Sequence, residues 1–125
     1  MSLKSFEEII NLKALLFKQI HSVCVELLED PIAADVKNYI DKRLSKESQK
    51  KFGIGYFPDD QNLNILINKI GEKKLKYLNL IYPYYIQEND YKSLINKSIL
   101  SNHNLIFPYK DIYGNIKSFI GRTVL

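Results

Sequence analysis

Leu105-Ile106-Phe107-Pro108-Tyr109-Lys110, then Asp111-Ile112-Tyr113-Gly114-Asn115, then Ile116-Lys117-Ser118-Phe119-Ile120: two aromatic and β-branched runs flank a polar insert. Gly114 accepts the positive φ that a tight reversal needs, so the segment predicts a β-hairpin. The next residues, Arg122-Thr123-Val124-Leu125, are again strand-like. A strand at a chain end leaves an open edge, the pattern expected of a fragment that a longer protein continues into a sheet.

Working outward, residues 52–58 (Phe52-Gly53-Ile54-Gly55-Tyr56-Phe57-Pro58) alternate large and small and read as a strand. Its glycines share one face, where something must approach the backbone closely, while Phe52, Ile54 and Tyr56 share the other. Asp59 or Asp60 is placed to cap a helix containing Leu63, Leu66, Ile67 and Ile70, with Gly71 as its left-handed stop. A short helix over 72–80 follows, then an extended piece over 82–86 that enters a polar turn at 87–90. Residues 91–103 fit neither period cleanly.

Toward the N-terminus, Phe6, Ile9, Ile10, Leu16, Phe17, Ile20, Val23, Cys24, Leu27 and Leu28 recur at three and four, predicting one long helix over 5–29. Ser5 and Glu8 suit a capping box. Pro31 ends this helix and suits the start of another over 33–44, which buries Val36, Tyr39 and Ile40. Ser45 precedes a polar helical turn over 46–51. The expected class is therefore α/β of the α+β type, with N-terminal helices followed by a small mixed or antiparallel β element.

A chain of 125 residues, 46% hydrophobic and 26% charged, is ordinary globular protein, neither disordered nor disulfide-stapled. One domain over 1–125 is expected. No apolar run approaches the roughly 20 residues of a membrane span. Glu7 and Glu8 stand where a secretory signal would be apolar, and Cys24 is the only cysteine, which points to a reducing cytoplasm and no membrane partner. Eighteen Lys and Arg against 14 Asp and Glu give a net charge of +4, which permits phosphate contact without demanding it. Only Arg43 and Arg122 are arginines, so bidentate phosphate contact has two positions.

Motifs for chemistry are scarce. Cys24, His21 and His103 do not have zinc-site spacing, and Cys24 sits within an apolar stripe as a buried structural thiol. No phosphate-loop or dinucleotide fingerprint follows Gly53-Ile54-Gly55. Asp59-Asp60, or Glu88 with Asp90, are the paired acids that metal-assisted phosphoryl chemistry would use, but the first pair is better read as helix caps. Tyr82, Tyr84 and Tyr85 offer faces for base stacking, though core and edge packing is the expected use of most of the nine tyrosines.

Taken in order, Tyr39-Ile40-Asp41-Lys42-Arg43, Lys50-Lys51-Phe52-Gly53-Ile54-Gly55-Tyr56-Phe57-Pro58, the 106–116 run and Phe119-Ile120-Gly121-Arg122-Thr123-Val124-Leu125 form a composite pattern. It resembles the N-terminal subdomain of the RNA polymerase core of bacterial DnaG-type DNA primases, with blocks Y-L-x-x-R-G, F-x-I-G-Y-x-P and I-F-P-I-x-D-x-x-G-x-V-x-G-F-G-G-R-x-L. The resemblance covers about residues 33–125, and the helix within 1–30 stands where that core's opening helix does. It implies a subdomain lining a basic groove that holds template and incoming nucleotide in RNA primer synthesis for DNA replication. A TOPRIM subdomain of the same gene product, outside this chain, would supply the magnesium ligands, so no cofactor is expected here and catalysis by this chain alone is not expected. Implied partners are single-stranded DNA, nucleotides, that TOPRIM subdomain and a replicative helicase.

By the same resemblance, Arg43 takes the arginine of the first block and Arg122 that of G-G-R, both on the family's nucleic-acid surface. Lys42, Lys110 and Lys117, together with Lys50 and Lys51, would widen the patch. Gly53, Gly55, Pro58, Phe107, Pro108 and Gly114 read as fold-makers. The chain departs from the pattern in the interval from Arg43 to Phe52, one residue shorter than the family's, and in three further places. Leu44 replaces the glycine after the first arginine, Ile120 replaces a glycine of G-G-R, and Ile99-Leu100-Ser101-Asn102-His103-Asn104 stands in place of D-R-F-R-x-R. Those losses suit a divergent primase of a phage or mobile element. The competing expectation is a non-catalytic domain that kept the fold and docks a replication protein.

Overall fold

The computed structural model describes residues 3–89 and 91–124. The long apolar period folds as one helix, α1 (Leu3–Leu27), whose second half turns Leu16, Phe17, Ile20, Cys24 and Leu27 into the core. Ser5 lies inside this helix rather than at its cap, because Leu3 and Lys4 already carry helical backbone, so the predicted capping box does not open it. Asp30 is extended, and its Oδ1 accepts the Ile32 N–H at 3.0 Å, which starts a single 3-10 turn (Pro31–Ala33) ahead of α2 (Ala34–Asp41). The helix expected over 33–44 is thus trimmed at both ends. Val36 and Ile40 are buried, whereas Tyr39 is only half-buried. Ser45 Oγ accepts the Ser48 N–H at 3.1 Å and caps α3 (Lys46–Phe52).

The strand expected over 52–58 shrinks to β1 (Gly55–Tyr56). Gly53 takes φ 65°, the left-handed stop of α3, so Phe52 ends a helix and is 56% exposed instead of sharing a face with buried Ile54 and Tyr56. The close approach at the glycines is real. A Cβ on Gly55 would lie 2.9 Å from the carbonyl carbon of Cys24 in α1, and one on Gly53 would lie 2.9 Å from the His21 ring.

Two short helices follow, α4 (Leu63–Ile70) and α5 (Glu72–Tyr77), the latter shorter than the 72–80 expected because Leu80 N–H turns back to Leu75 O at 2.9 Å. Asn62, not an aspartate, stands at the N-cap of α4. Asp59 Oδ1 accepts the Asn62 N–H at 3.1 Å, and Asp60 Oδ1 accepts the Ser98 N–H at 2.8 Å, so both acids brace loops. Gly71 has φ 108° and ψ 137°, a positive-φ kink rather than the left-handed helical stop.

The ambiguous 91–103 stretch contains β3 (Tyr91–Ser98), which pairs antiparallel with β2 (Ile81–Glu88) from Ile81↔Ser98 to Glu88↔Tyr91. The predicted hairpin forms as β4 (Leu105–Lys110) and β5 (Ile116–Arg122), and β1 joins β4 in an antiparallel three-stranded sheet ordered β1-β4-β5. Strand geometry stops at Arg122 rather than running on through 123 and 124, and residue 125 lies outside the described residues. The molecule is α+β with antiparallel sheets, helices first, as the sequence implied. Its core gathers Ile20, Phe57, Leu66, Leu75 and Ile106 from α1, the β1 loop, α4, α5 and β4. Core packing does not account for most tyrosines. Only Tyr56 is buried, and seven of the nine are exposed, four of them on β2 and β3, which leave most of their length outside the core.

Candidate functional site

The hub of the concave surface is His21 in the second half of α1. Its Nε2 lies 2.7 Å from the Gly53 carbonyl oxygen, an acceptor, so this nitrogen carries the proton and donates. The ring also stacks against Phe119 of β5 at a centroid distance of 6.2 Å, and Phe17 meets Phe119 edge-on at 5.5 Å. His21 therefore pins α1 to the end of α3 and to β5 at once. One turn later, Cys24 is wholly buried, and loss of solvation pushes its thiol well above the usual range, which suits a packing residue and not a nucleophile.

On one side of His21 a recess of about 540 Å³ opens between α1, α2 and α3, lined by Lys18, Lys37, Lys46 and Lys50 and also by Glu26 and Glu29. Lys37 is engaged, with Nζ 2.6 Å from Glu29 and 3.8 Å from Asp41, and the Glu29 hydrogen bond holds its ammonium above the ordinary lysine range. Lys18, Lys46 and Lys50 have no carboxylate within ion-pair distance among the described residues. Gln49 at the floor donates to Asp41 Oδ1 at 2.9 Å and to Leu44 O at 3.0 Å, which locks the loop between α2 and α3. On the other side a smaller recess of about 280 Å³ shares Lys18 and His21 and reaches Lys110, Gly114 and Asn115. The two form one lysine-lined concavity over α1, α3 and the β4–β5 turn.

Of the residues expected from sequence, Lys50 and Lys110 line this surface, and Arg43, Lys42, Lys51, Arg122 and Lys117 line neither recess. Arg43 stands just past the end of α2. Its guanidinium carbon lies 3.6 Å from the centre of the Tyr39 ring, and Nη1 donates to Tyr39 O at 3.0 Å, fixing the plane while most of its donors stay free. Lys42 is the exposed C-cap residue of α2. Arg122 is exposed at the end of β5, opposite Leu105. Side chains alternate along a strand, so Arg122 lies on the face opposite Phe119, and hence away from His21. Lys117 sits at a register irregularity, 3.8 Å from Asp111 Oδ2. Asp111 in turn accepts the Tyr113 and Asn115 N–H groups, each at 2.9 Å. Partial desolvation opposes ionisation there, but those donors and Lys117 outweigh it and hold the carboxyl below its usual range.

Sequence reasoning missed Lys18, Lys37 and Lys46. Lys18 and His21 do share a helix face by spacing, a signal that was present, but nothing local says that the end of α3 meets that face. Among the described residues no group of three or more His, Cys, Asp or Glu side chains converges as metal ligands would. Asp90, one half of a candidate acid pair, lies outside the described residues. No helix among the described residues is long and apolar enough to cross a membrane.

The family model for the N-terminal domain of the DNA primase catalytic core matches residues 23–125. No curated protein matches the sequence. Solved structures share the fold. A DnaG primase catalytic domain bound to single-stranded DNA is 21% identical with TM-score 0.66, covering 90% of this chain and 35% of its own. The RNA polymerase domain of Mycobacterium tuberculosis primase DnaG is 18% identical with TM-score 0.64, covering 92% and 36%. A DnaG catalytic core is 20% identical with TM-score 0.61, covering 90% and 34%. The chain thus spans about a third of the length of each.

Proposed function

Because the chain belongs to the family of DNA primase catalytic core N-terminal domains, we propose that it is the template- and nucleotide-holding part of an enzyme that makes RNA primers for DNA replication. The observation that carries this is the lysine-lined concavity, where Lys18, Lys46 and Lys50 have no carboxylate within ion-pair distance among the described residues, around a recess of ligand size that Glu26 and Glu29 also line. Free ammonium groups on a concave wall neutralise successive phosphates, which release counterions and give affinity without reading sequence. Lys110 extends the track past His21. Likeness to a primase domain solved with single-stranded DNA favours that polymer as the occupant.

In this reading Arg43 and Arg122 bind phosphate beyond the two recesses. Arg43 is the better prepared, since its plane is already held by Tyr39. Lys42 and Lys117 add weaker, longer-range attraction, Lys117 with part of its charge answered by Asp111. The metal chemistry belongs to a TOPRIM subdomain elsewhere in the same gene product, with magnesium as its cofactor. A replicative helicase is the partner that would bring such an enzyme to its template, and the cytoplasm is the compartment.

Titration of labelled single-stranded DNA over a salt series tests the binding. With Lys18, Lys46 and Lys50 all replaced by alanine, affinity should fall and the slope of log K against log salt should shrink by about 2, as three lost phosphate contacts require. Arg43→Ala/Arg122→Ala should weaken binding further. Wild-type protein that fails to bind even at low salt would overturn the reading and leave a docking role for the fold.

A further inference from the structure

The β2–β3 hairpin is packed at its root only. Ile81 and Ser98 are buried, and Asn96 meets Glu72 of α5, so the face carrying Ile81, Pro83, Tyr85, Asn96 and Ser98 leans on the body at that end. Directly paired residues point to the same side. Tyr82↔Lys97, Tyr84↔Ile95, Ile86↔Ser93 and Glu88↔Tyr91 therefore make up the other face, on which Ile86, Ile95 and Lys97 are half-buried and the rest are exposed. Three tyrosines stand on it, 41%, 45% and 77% exposed at positions 82, 84 and 91. Lys97 Nζ lies 4.0 Å from the centre of the Tyr84 ring, so a cation is held on the same face as the aromatic row.

We infer that this face is a stacking platform for single-stranded nucleic acid, separate from the lysine-lined concavity. Tyr82 and Tyr84 are two residues apart on one strand, which spaces their rings by about 7 Å along an extended backbone. Each ring takes a base without regard to its identity, and the hydroxyl edges keep the unoccupied row wetted. Charge at the root of the hairpin also suits a polyanion. Across residues 72–98, five lysines (73, 74, 76, 92 and 97) stand against three acids (72, 88 and 90). Three of those lysines belong to α5 at the root, so the hairpin itself is balanced, Lys92 and Lys97 against Glu88 and Asp90, and the positive excess lies in the adjoining body.

The chain contains no tryptophan, so its intrinsic fluorescence is tyrosine emission. Addition of an oligothymidylate should quench that emission and, under ultraviolet light, crosslink to peptides containing Tyr82, Tyr84 or Tyr91. Tyr82→Ala/Tyr84→Ala/Tyr91→Ala should bind about tenfold or more weakly with the salt slope unchanged, since rings and not phosphate contacts are lost. The lysine triple variant does the reverse, flattening the slope while crosslinks stay on the hairpin. Unchanged affinity and crosslinking in the tyrosine variant would overturn the platform and leave the concavity reading intact. Unchanged affinity and slope in the lysine variant, with loss in the tyrosine variant, would support the platform and sink the concavity. Wild-type protein that self-associates in sedimentation and becomes monomeric in the tyrosine variant, without change in DNA affinity, would also overturn it. All three tyrosines are exposed, so thermal melts of the variant should match wild type.

Discussion

Single positions in this chain are decided by what lies within an ångström or two of them. Gly55 is not at a positive φ, and alanine is disfavoured there only because its Cβ would meet the Cys24 and Val25 backbone at 2.9 to 3.1 Å. Backbone cannot rotate away as a side chain can, so Gly55→Ala should cost about 1–3 kcal/mol in urea unfolding. Gly114→Ala meets nothing within 4 Å, and φ +85° leaves it strain alone, so it should cost less. Cys24 and Tyr56 make a second prediction. Burial raises both groups above their ordinary 9.0 and 10.0, so the folded state holds protons that the unfolded chain releases. Stability from this source is complete below about pH 9 and is lost as pH rises beyond it. The urea midpoint should fall between neutral and alkaline pH, and Cys24 should react with a thiol reagent only after unfolding. The glycines were legible in sequence as sites of close approach. That the approaching group is the α1 backbone at one and His21 at the other was not, because those contacts join residues some thirty positions apart.

At the scale of elements, the two hairpins have opposite characters. β4–β5 packs against α1 and β1, and its turn is tied by Asp111 to two backbone N–H groups. β2–β3 is a two-stranded ribbon without a third strand, a form that is marginal in water unless something supports it. Hydrogen exchange should therefore show slow amides in β4 and in the part of β5 near Ile116, and fast ones in the outer halves of β2 and β3. Asp111 carries its own pH signature. Its folded pKa lies below its ordinary 3.8, so its contribution is present above that value and is lost as pH falls through the folded one. Asp111→Asn should speed exchange in the turn at neutral pH and remove that acid dependence. At α3, Ser45→Ala removes the oxygen that accepts the Ser48 N–H and should destabilise by about 1 kcal/mol in urea unfolding. Helix positions were readable because three-four periodicity and Ser45 are local. The strand expected over 52–58 and the ambiguous stretch that holds 91–98 escaped local reading for different reasons. A glycine in left-handed geometry turned the first into a helix stop, and the second has no buried face for alternation to reveal.

For the whole molecule, α1 is the spine against which β1, β5 and α4 assemble, and the core has few layers to spare. Phe57→Ala should cost about 3–5 kcal/mol, a large part of the 5–15 kcal/mol typical of a domain, and calorimetry should register it as a marked fall in melting temperature. The sequence by itself determined the α+β class, the antiparallel β4–β5 pair, the helical opening and, through the order of its blocks, the primase family. Each of these rests on short-range periodicity, turn residues or a linear pattern. Only the tertiary structure decided which cations share a surface. It gathered Lys18, Lys46, Lys50 and Lys110 around His21, and left Arg122 on the far side of its sheet from that histidine. It also left β2 and β3 outside the core, with their tyrosines in solvent. Those outcomes depend on how α1 packs on β1 and β5 and meets the end of α3, and packing between distant segments leaves no local period in a single chain.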